Sequence, residues 1–434
     1  MSRLLVAQRA LTVPGWAKDL LWTRARAVPS LDLRFADNKS LVDATTGASL
    51  VTFTRASSGT YVGSDGVLKT AVTDAPRFDH NPTTGESLGL LVEEARTNLI
   101  LRSEEFDNAS WGKFAASITA NNAIAPNGAS TADALIPNTT TTFHLCNQGF
   151  TLVNGTTYTF SIYLKAAGYN FVLLNTSTGS ASGNAGPIIN LSNGTKAGFL
   201  AVDYPTLIQS VGNGWYRVSY QYTSNGTFGV IDINTLPTSS ISAYAGDGTS
   251  GIYIWGAQLE AGAFATSYIP TTSATVTRAA DVASITGSNF SSWYNQTEGT
   301  VFAEFTPRTF AQACGLLSLD DGTTSERLQT RLSTAGNGSF LVADGGSVQA
   351  NFSTTNSTVL NTKGKLATSF ALNSFQACLN GELVASDTLG TLPTVTQAVI
   401  GNAVGAFIFN GPISRLTYFP TRFGSGTLQT ISQP

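Results

Sequence analysis

The feature that most constrains this chain is its punctuation. From residue 30 onward Asx-Gly pairs recur, among them Asp65-Gly66, Asn127-Gly128, Asn154-Gly155, Asn213-Gly214, Asp321-Gly322, Asn337-Gly338, Asn380-Gly381 and Asn410-Gly411. Such pairs tolerate the positive φ of tight hairpin turns. Between them the apolar residues alternate. Tyr158, Phe160, Ile162 and Leu164 share one face of a strand, as do Tyr216, Val218, Tyr220 and Tyr222. Short strands at regular turn spacing predict sandwiches or barrels. At 434 residues the chain is too long for one sandwich, and two to four domains are expected at roughly 100–200 residues each.

Residues 1–29 differ in chemistry. Arg3, Arg9, Lys18, Arg24 and Arg26 stand there against Asp19 alone. Gly15–Ala27 predicts a short helix with Trp16 and Leu20 on one face. A helix so short needs a surface to pack on, either a neighbouring protein or its own first domain. Trp16, Leu20, Trp22, Arg24 and Arg26 are the candidate docking residues. Gln8, Arg9 and Pro14 break the early apolar run, so no signal peptide is expected. No stretch is apolar for long enough to predict membrane insertion.

Charged residues are 12% of the chain and the net charge is −3. With no broad basic field, nucleic acid is not the expected partner; glycans or protein faces suit such a surface better. Cys146, Cys314 and Cys378 are widely spaced, which suggests neither a disulfide framework nor a zinc site.

Several segments resemble a module of tailed-phage and prophage structural proteins of the tail-fibre or head-fibre type. They are Leu31–Ala36, Thr52-Phe-Thr-Arg-Ala-Ser-Ser-Gly-Thr-Tyr61, Arg77-Phe-Asp-His80, Leu90–Leu99, Trp255–Gly262, Thr266–Thr271 and Thr277-Arg-Ala-Ala-Asp281. One echo runs between Thr52–Ser57 and Thr275–Ala280. The middle of the chain is similar to carbohydrate-binding-module-like jelly rolls, through Glu104–Trp111, Tyr158–Lys165 and Gly251–Ala257. The last part resembles a concanavalin A-like (laminin-G-type) sandwich, through Gly299–Phe305, Phe375–Val384 and Phe409–Leu416. Such labels speak to fold more than to ligand.

The expected fold is all-β: two consecutive β-sandwiches (jelly rolls), preceded by a small β-rich module and a short N-terminal helical segment. The boundaries read as a docking segment 1–29, a fibre-like module 30–102, a carbohydrate-binding-module-like sandwich 103–270, a linker 271–291 and a concanavalin A-like sandwich 292–434. The resemblance implies a virion-surface appendage subunit made in the host cytoplasm. It would bind other virion proteins through residues 1–29, form a homo-oligomer (by analogy a trimer) and present its sandwiches to host-surface polysaccharide. A structural virion protein without sugar binding and a glycan depolymerase are the alternatives.

No enzyme is expected. His80 and His144 are the only histidines, and Asp79, His80 and Ser87 have no nucleophile-elbow context. Sugars pack C–H faces on aromatic rings, which makes Trp111, Trp215, Tyr216, Tyr244 and Trp293 the candidate glycan platforms; core burial is the competing reading of each. Trp255 is expected in the core. The resemblance to jelly-roll modules implies a structural calcium, with Glu105 and Asp107 as oxygen donors. No other cofactor is expected.

Overall fold

The computed structural model describes residues 19–178, 184–404 and 408–434. It is all-β, as expected: two antiparallel sandwiches with four short helices among the described residues. Asn380-Gly381 adopts the turn anticipated for it, with φ of 52° and 73°. Asn337-Gly338 does not; both residues lie in the strand Asn337–Asp344.

The middle sandwich holds two six-stranded sheets. One runs in the order Thr206–Ser210, Tyr216–Thr223, Thr157–Ala167, Gly251–Ala261, Ala132–Pro137, Ala116–Ala123. The other is Thr195–Leu200, Gly186–Asn190, Phe171–Thr178, Phe228–Leu236, Leu145–Thr151, Gly112–Phe114. The alternation read from sequence points as predicted. Phe160, Ile162, Leu164, Val218, Tyr220 and Tyr222 are buried in one core with Ile231, Ile233 and Ile254.

The domain division is corrected. Residues 30–102 are not a separate module, because their strands complete the last sandwich. Leu31–Leu33 and Ser87–Val92 both pair with Gly411–Phe419. Thr52–Thr54 pairs with Val282–Thr286. Leu33, Phe35, Phe53, Leu90 and Val92 share a core with Phe305, Leu319, Phe340 and Ile413. Residues 271–291 are not a free linker either. Val276–Arg278 pairs with Arg96–Asn98 as a two-stranded neck, and Val282–Thr286 is an inner strand between Thr52–Thr54 and Gln397–Ile400. The middle sandwich is thus inserted into the other one, an arrangement that chain ends lying close together at a domain surface make feasible. Two of these strands hide their role because they are short and half exposed, so their polar residues read as loop.

The neck is locked by charge. Arg55, Arg77, Glu93, Arg278 and Asp281 are all almost fully buried. Asp281 accepts from Arg55 Nη1 at 3.1 Å, from Arg77 Nη2 and from the Glu93 amide at 2.9 Å. Glu93 holds Arg77 Nη1 at 2.8 Å and the amide and hydroxyl of Ser267 at 2.8 and 2.7 Å. The Thr-Arg-Ala echo acquires a physical meaning here, since its two arginines, Arg55 and Arg278, enter one network.

The helix Leu20–Ala25 is capped by Asp19, whose carboxylate accepts from the amides of Leu21 and Trp22. Leu21 and Ala25 are buried with Phe302, Phe419, Leu428 and Ile431 of the same chain. Trp22 donates to Asp32 at 3.1 Å beneath the Arg34 guanidinium. Arg24 donates to the Gln433 carbonyl, Arg26 is the left-handed C-cap, and Leu20 is exposed. Trp16 lies outside the described residues. The described part of the docking segment therefore packs on its own sandwich, the surface that so short a helix needs. Among the described residues no helix is long and apolar enough to cross a membrane.

Candidate functional site

The cleft begins on the outer face of the middle sandwich. Along Tyr216–Thr223, Val218, Tyr220 and Tyr222 turn inward, so Arg217, Ser219 and Gln221 must turn outward. Register sets their neighbours. Arg217 lies between Gln209 and Tyr163, Ser219 between Leu207 and Ser161, and Gln221 opposite Thr159. The result is a sheet face of amides, hydroxyls and one guanidinium. The insertion brings the other sandwich against it. The hairpin Gly59–Val62/Leu68–Ala71, the strand Phe78–His80 and the loop around Arg308 form the opposite wall, with Phe264 and Tyr268 between. The cleft so enclosed has a volume of about 650 Å³.

Its charges are few and defined. Asp79 accepts from the Val62 amide at 2.8 Å and pairs with Arg308. His80 places Nδ1 3.0 Å from the Val62 carbonyl, which makes Nδ1 the protonated nitrogen, while Nε2 has no partner. The Thr306 hydroxyl is likewise unpartnered. Arg217 donates through Nη2 to Ser161 Oγ at 3.1 Å and to the Thr266 carbonyl at 2.7 Å, and its guanidinium lies over the Tyr163 ring. Its Nε has no partner. Burial pushes the Tyr163 phenol up, so this ring stays neutral. No hydrogen bond joins Ser87 to His80, and Asp79 faces Arg308 and Val62, so these three residues form no relay.

The aromatic platforms expected from sequence do not line this cleft. Trp111 is core, 1% exposed, packed on Phe106 and donating to the Arg102 carbonyl. Trp215 is core, with its indole N–H on the Ile124 carbonyl. Trp293 is core between Phe290 and Tyr418. These three are corrected for one reason: large rings beside apolar neighbours remove most area from water by turning inward. Tyr216 is half-buried, stands against Gly194 and packs on the core of its own sandwich. Tyr244 is half-buried, edge-on to His144 and Tyr169 and bonded to Thr235. Trp255 is in the core as expected, against Tyr163 and Tyr268.

Around the proposed calcium donors the chain supplies its own cations. Glu105 pairs with Arg102 at 2.8 Å, and Lys113 donates to the carbonyls of Asp107 and Asn108. Among the described residues, no three of His, Cys, Asp and Glu are grouped to hold a metal. The three cysteines are free and buried.

The cleft residues Arg217, Ser219 and Gln221 were legible as the polar half of the alternation in Tyr216–Thr223. The opposite wall had no local signal, because Gly59–Ala71, Phe78–His80 and the Arg308 loop are remote from Tyr216–Thr223 in sequence.

The chain matches no family model and no curated protein. Among solved structures it is similar to the CBM40 domain of the Ruminococcus gnavus IT-sialidase bound to α2,3-sialyllactose. There the identity is 15%, with 32% of this chain and 84% of that one covered and a TM-score of 0.30. It is also similar to domain 4 of AbnA, a GH43 extracellular arabinanase from Geobacillus stearothermophilus in complex with arabinotriose (12% identity, 39% and 81% covered, TM-score 0.30). A third similarity is to the receptor binding domain of botulinum neurotoxin mosaic serotype C/D (14% identity, 35% and 39% covered, TM-score 0.27). None of these likenesses carries an argument about this chain's ligand.

Proposed function

We propose that this chain is a virion-surface appendage subunit that holds a host-surface glycan in the cleft between its two sandwiches. The cleft carries the binding half of this reading. It has the size of a small-molecule site, and its sheet wall presents amide, hydroxyl and guanidinium groups beside the rings of Tyr61 and Phe264, the mixture that sugar hydroxyls and C–H faces require. The virion half is supported by the fibre-like motif set. A homo-oligomer on the particle surface would make a weak single site sufficient through avidity.

Burial of Trp111, Trp215 and Trp293 favours a second reading, a structural virion protein without sugar binding. Multivalent display of the full chain on an immobilised glycan panel separates the two. The expected result is binding to a subset of the panel that is lost in Gln209→Ala/Gln221→Ala. Silence across the panel would leave only the structural reading. Labelling of intact particles tests the virion half, with the protein expected on the particle surface; absence from purified particles would refute it.

A further inference from the structure

We infer that the glycan held in this cleft bears a single negative charge, received by Arg217. The inference rests on the glycan-binding reading and deepens it. Its starting point is a charge that does not balance. Two guanidiniums and one carboxylate line the cleft: Arg308 is paired with Asp79, and Arg217 with no carboxylate in direct contact. Among the described residues no carboxylate lies within ion-pair distance of Arg217. Glu260 interacts with it electrostatically but turns its two oxygens to the amide and hydroxyl of Thr266.

A half-buried guanidinium without an anion is costly, because its lost hydration is not replaced. Here Nη2 is satisfied and Nε is not. Nη2 ties Ser161 to the Thr266 carbonyl, and these contacts fix the group in place. Nε is shielded from water with no acceptor. The group is thus oriented before any ligand arrives, which lowers the entropy lost on binding. Two further polar groups of the same cleft, His80 Nε2 and the Thr306 hydroxyl, also have no partner. A saccharide carrying a carboxylate or a sulfate ester offers Arg217 the anion it lacks, while a sugar hydroxyl can donate to His80 Nε2. A neutral one leaves Arg217 as it stands.

The test uses the full-length protein and four probes at matched chain length. These are a uronic-acid oligosaccharide, its carboxyl-reduced neutral counterpart, a sulfated oligosaccharide on a neutral backbone, and an oligoglutamate peptide. An acidic saccharide should bind at least about tenfold more tightly than the reduced one, the size of one charge-assisted contact. The uronic and sulfated arms identify which group is read. Arg217→Gln should erase that preference, and Arg217→Lys should retain part of it, with near-ultraviolet circular dichroism confirming that both variants fold. Equal binding of acidic and reduced sugars overturns the inference while the glycan reading stands. Binding of oligoglutamate as tight as that of the acidic sugar overturns it by showing a site for charge alone. Binding of none of the saccharides overturns both.

Discussion

Asp281→Ala is expected to cost roughly 3–5 kcal/mol, the range for removing one partner from a buried ionic cluster. The carboxylate satisfies Arg55, Arg77 and the Glu93 amide together. Without it, Arg55 loses its carboxylate partner, and Arg77 and Arg278 are left with Glu93. Against a total stability of ~5–15 kcal/mol, such a loss is readable in urea denaturation of the whole chain. It should appear as early exposure of the neck, before either sandwich core melts. A midpoint shift worth less than about 1 kcal/mol would show that the network is not a lock. The same network sets an acid limit. Burial is the largest single influence on Glu93 and pushes its carboxyl up. The guanidiniums of Arg278 and Arg77 outweigh it and hold the group well below the usual carboxylate range. A carboxyl depressed in the folded state stabilises above its unfolded pKa of about 4.3, and that contribution is lost as pH falls further. Stability should decline below about pH 5, and a flat profile from pH 6 to 3 would contradict this account.

Gly89→Ala should be comparably damaging, at roughly 2–6 kcal/mol. The position has φ of +101°, and a β-carbon there would fall 2.0 Å from the Ile413 carbonyl oxygen. Backbone strain and overpacking each contribute about 1–3 kcal/mol. Gly155→Ala is the control, with φ of +77° and open space around it. It should cost about 1 kcal/mol for the conformation alone. Because Ser87–Val92 pairs with Gly411–Phe419, the Gly89 variant should lower the melting point of the last sandwich, followed by protease protection of residues 298–419. If those residues stayed protected while residues 30–92 were cleaved, the two segments would be independent.

Much of the fold was visible in the residues. The faces of Tyr158–Leu164 and Tyr216–Tyr222 followed from period two, because alternation is a local consequence of strand geometry. The turn at Asn380-Gly381 followed from conformational freedom that the two residues carry with them. The same dipeptide at Asn337-Gly338 misled, because there pairing of Asn337–Asp344 with its neighbours overrode local preference. The glycan platforms misled for a related reason. A tryptophan is apolar enough for a core and flat enough for a sugar, and only its neighbours choose. Trp111 met Phe106, Trp215 met the Ile124 carbonyl, and Trp293 met Tyr418.

What the sequence determined by itself was therefore local: strands, turns, two sandwiches and a recurring Thr-Arg-Ala motif. What only the tertiary structure decided was long-range: that one sandwich is inserted into the other, that Arg55 and Arg278 meet on Asp281, and that Arg217 faces His80 and Arg308 across a cleft. Alternation and turn preference act over a few residues and are readable in one window. Partners brought together across two hundred residues are chosen by the summed burial of two whole cores, a quantity that no single stretch of sequence contains.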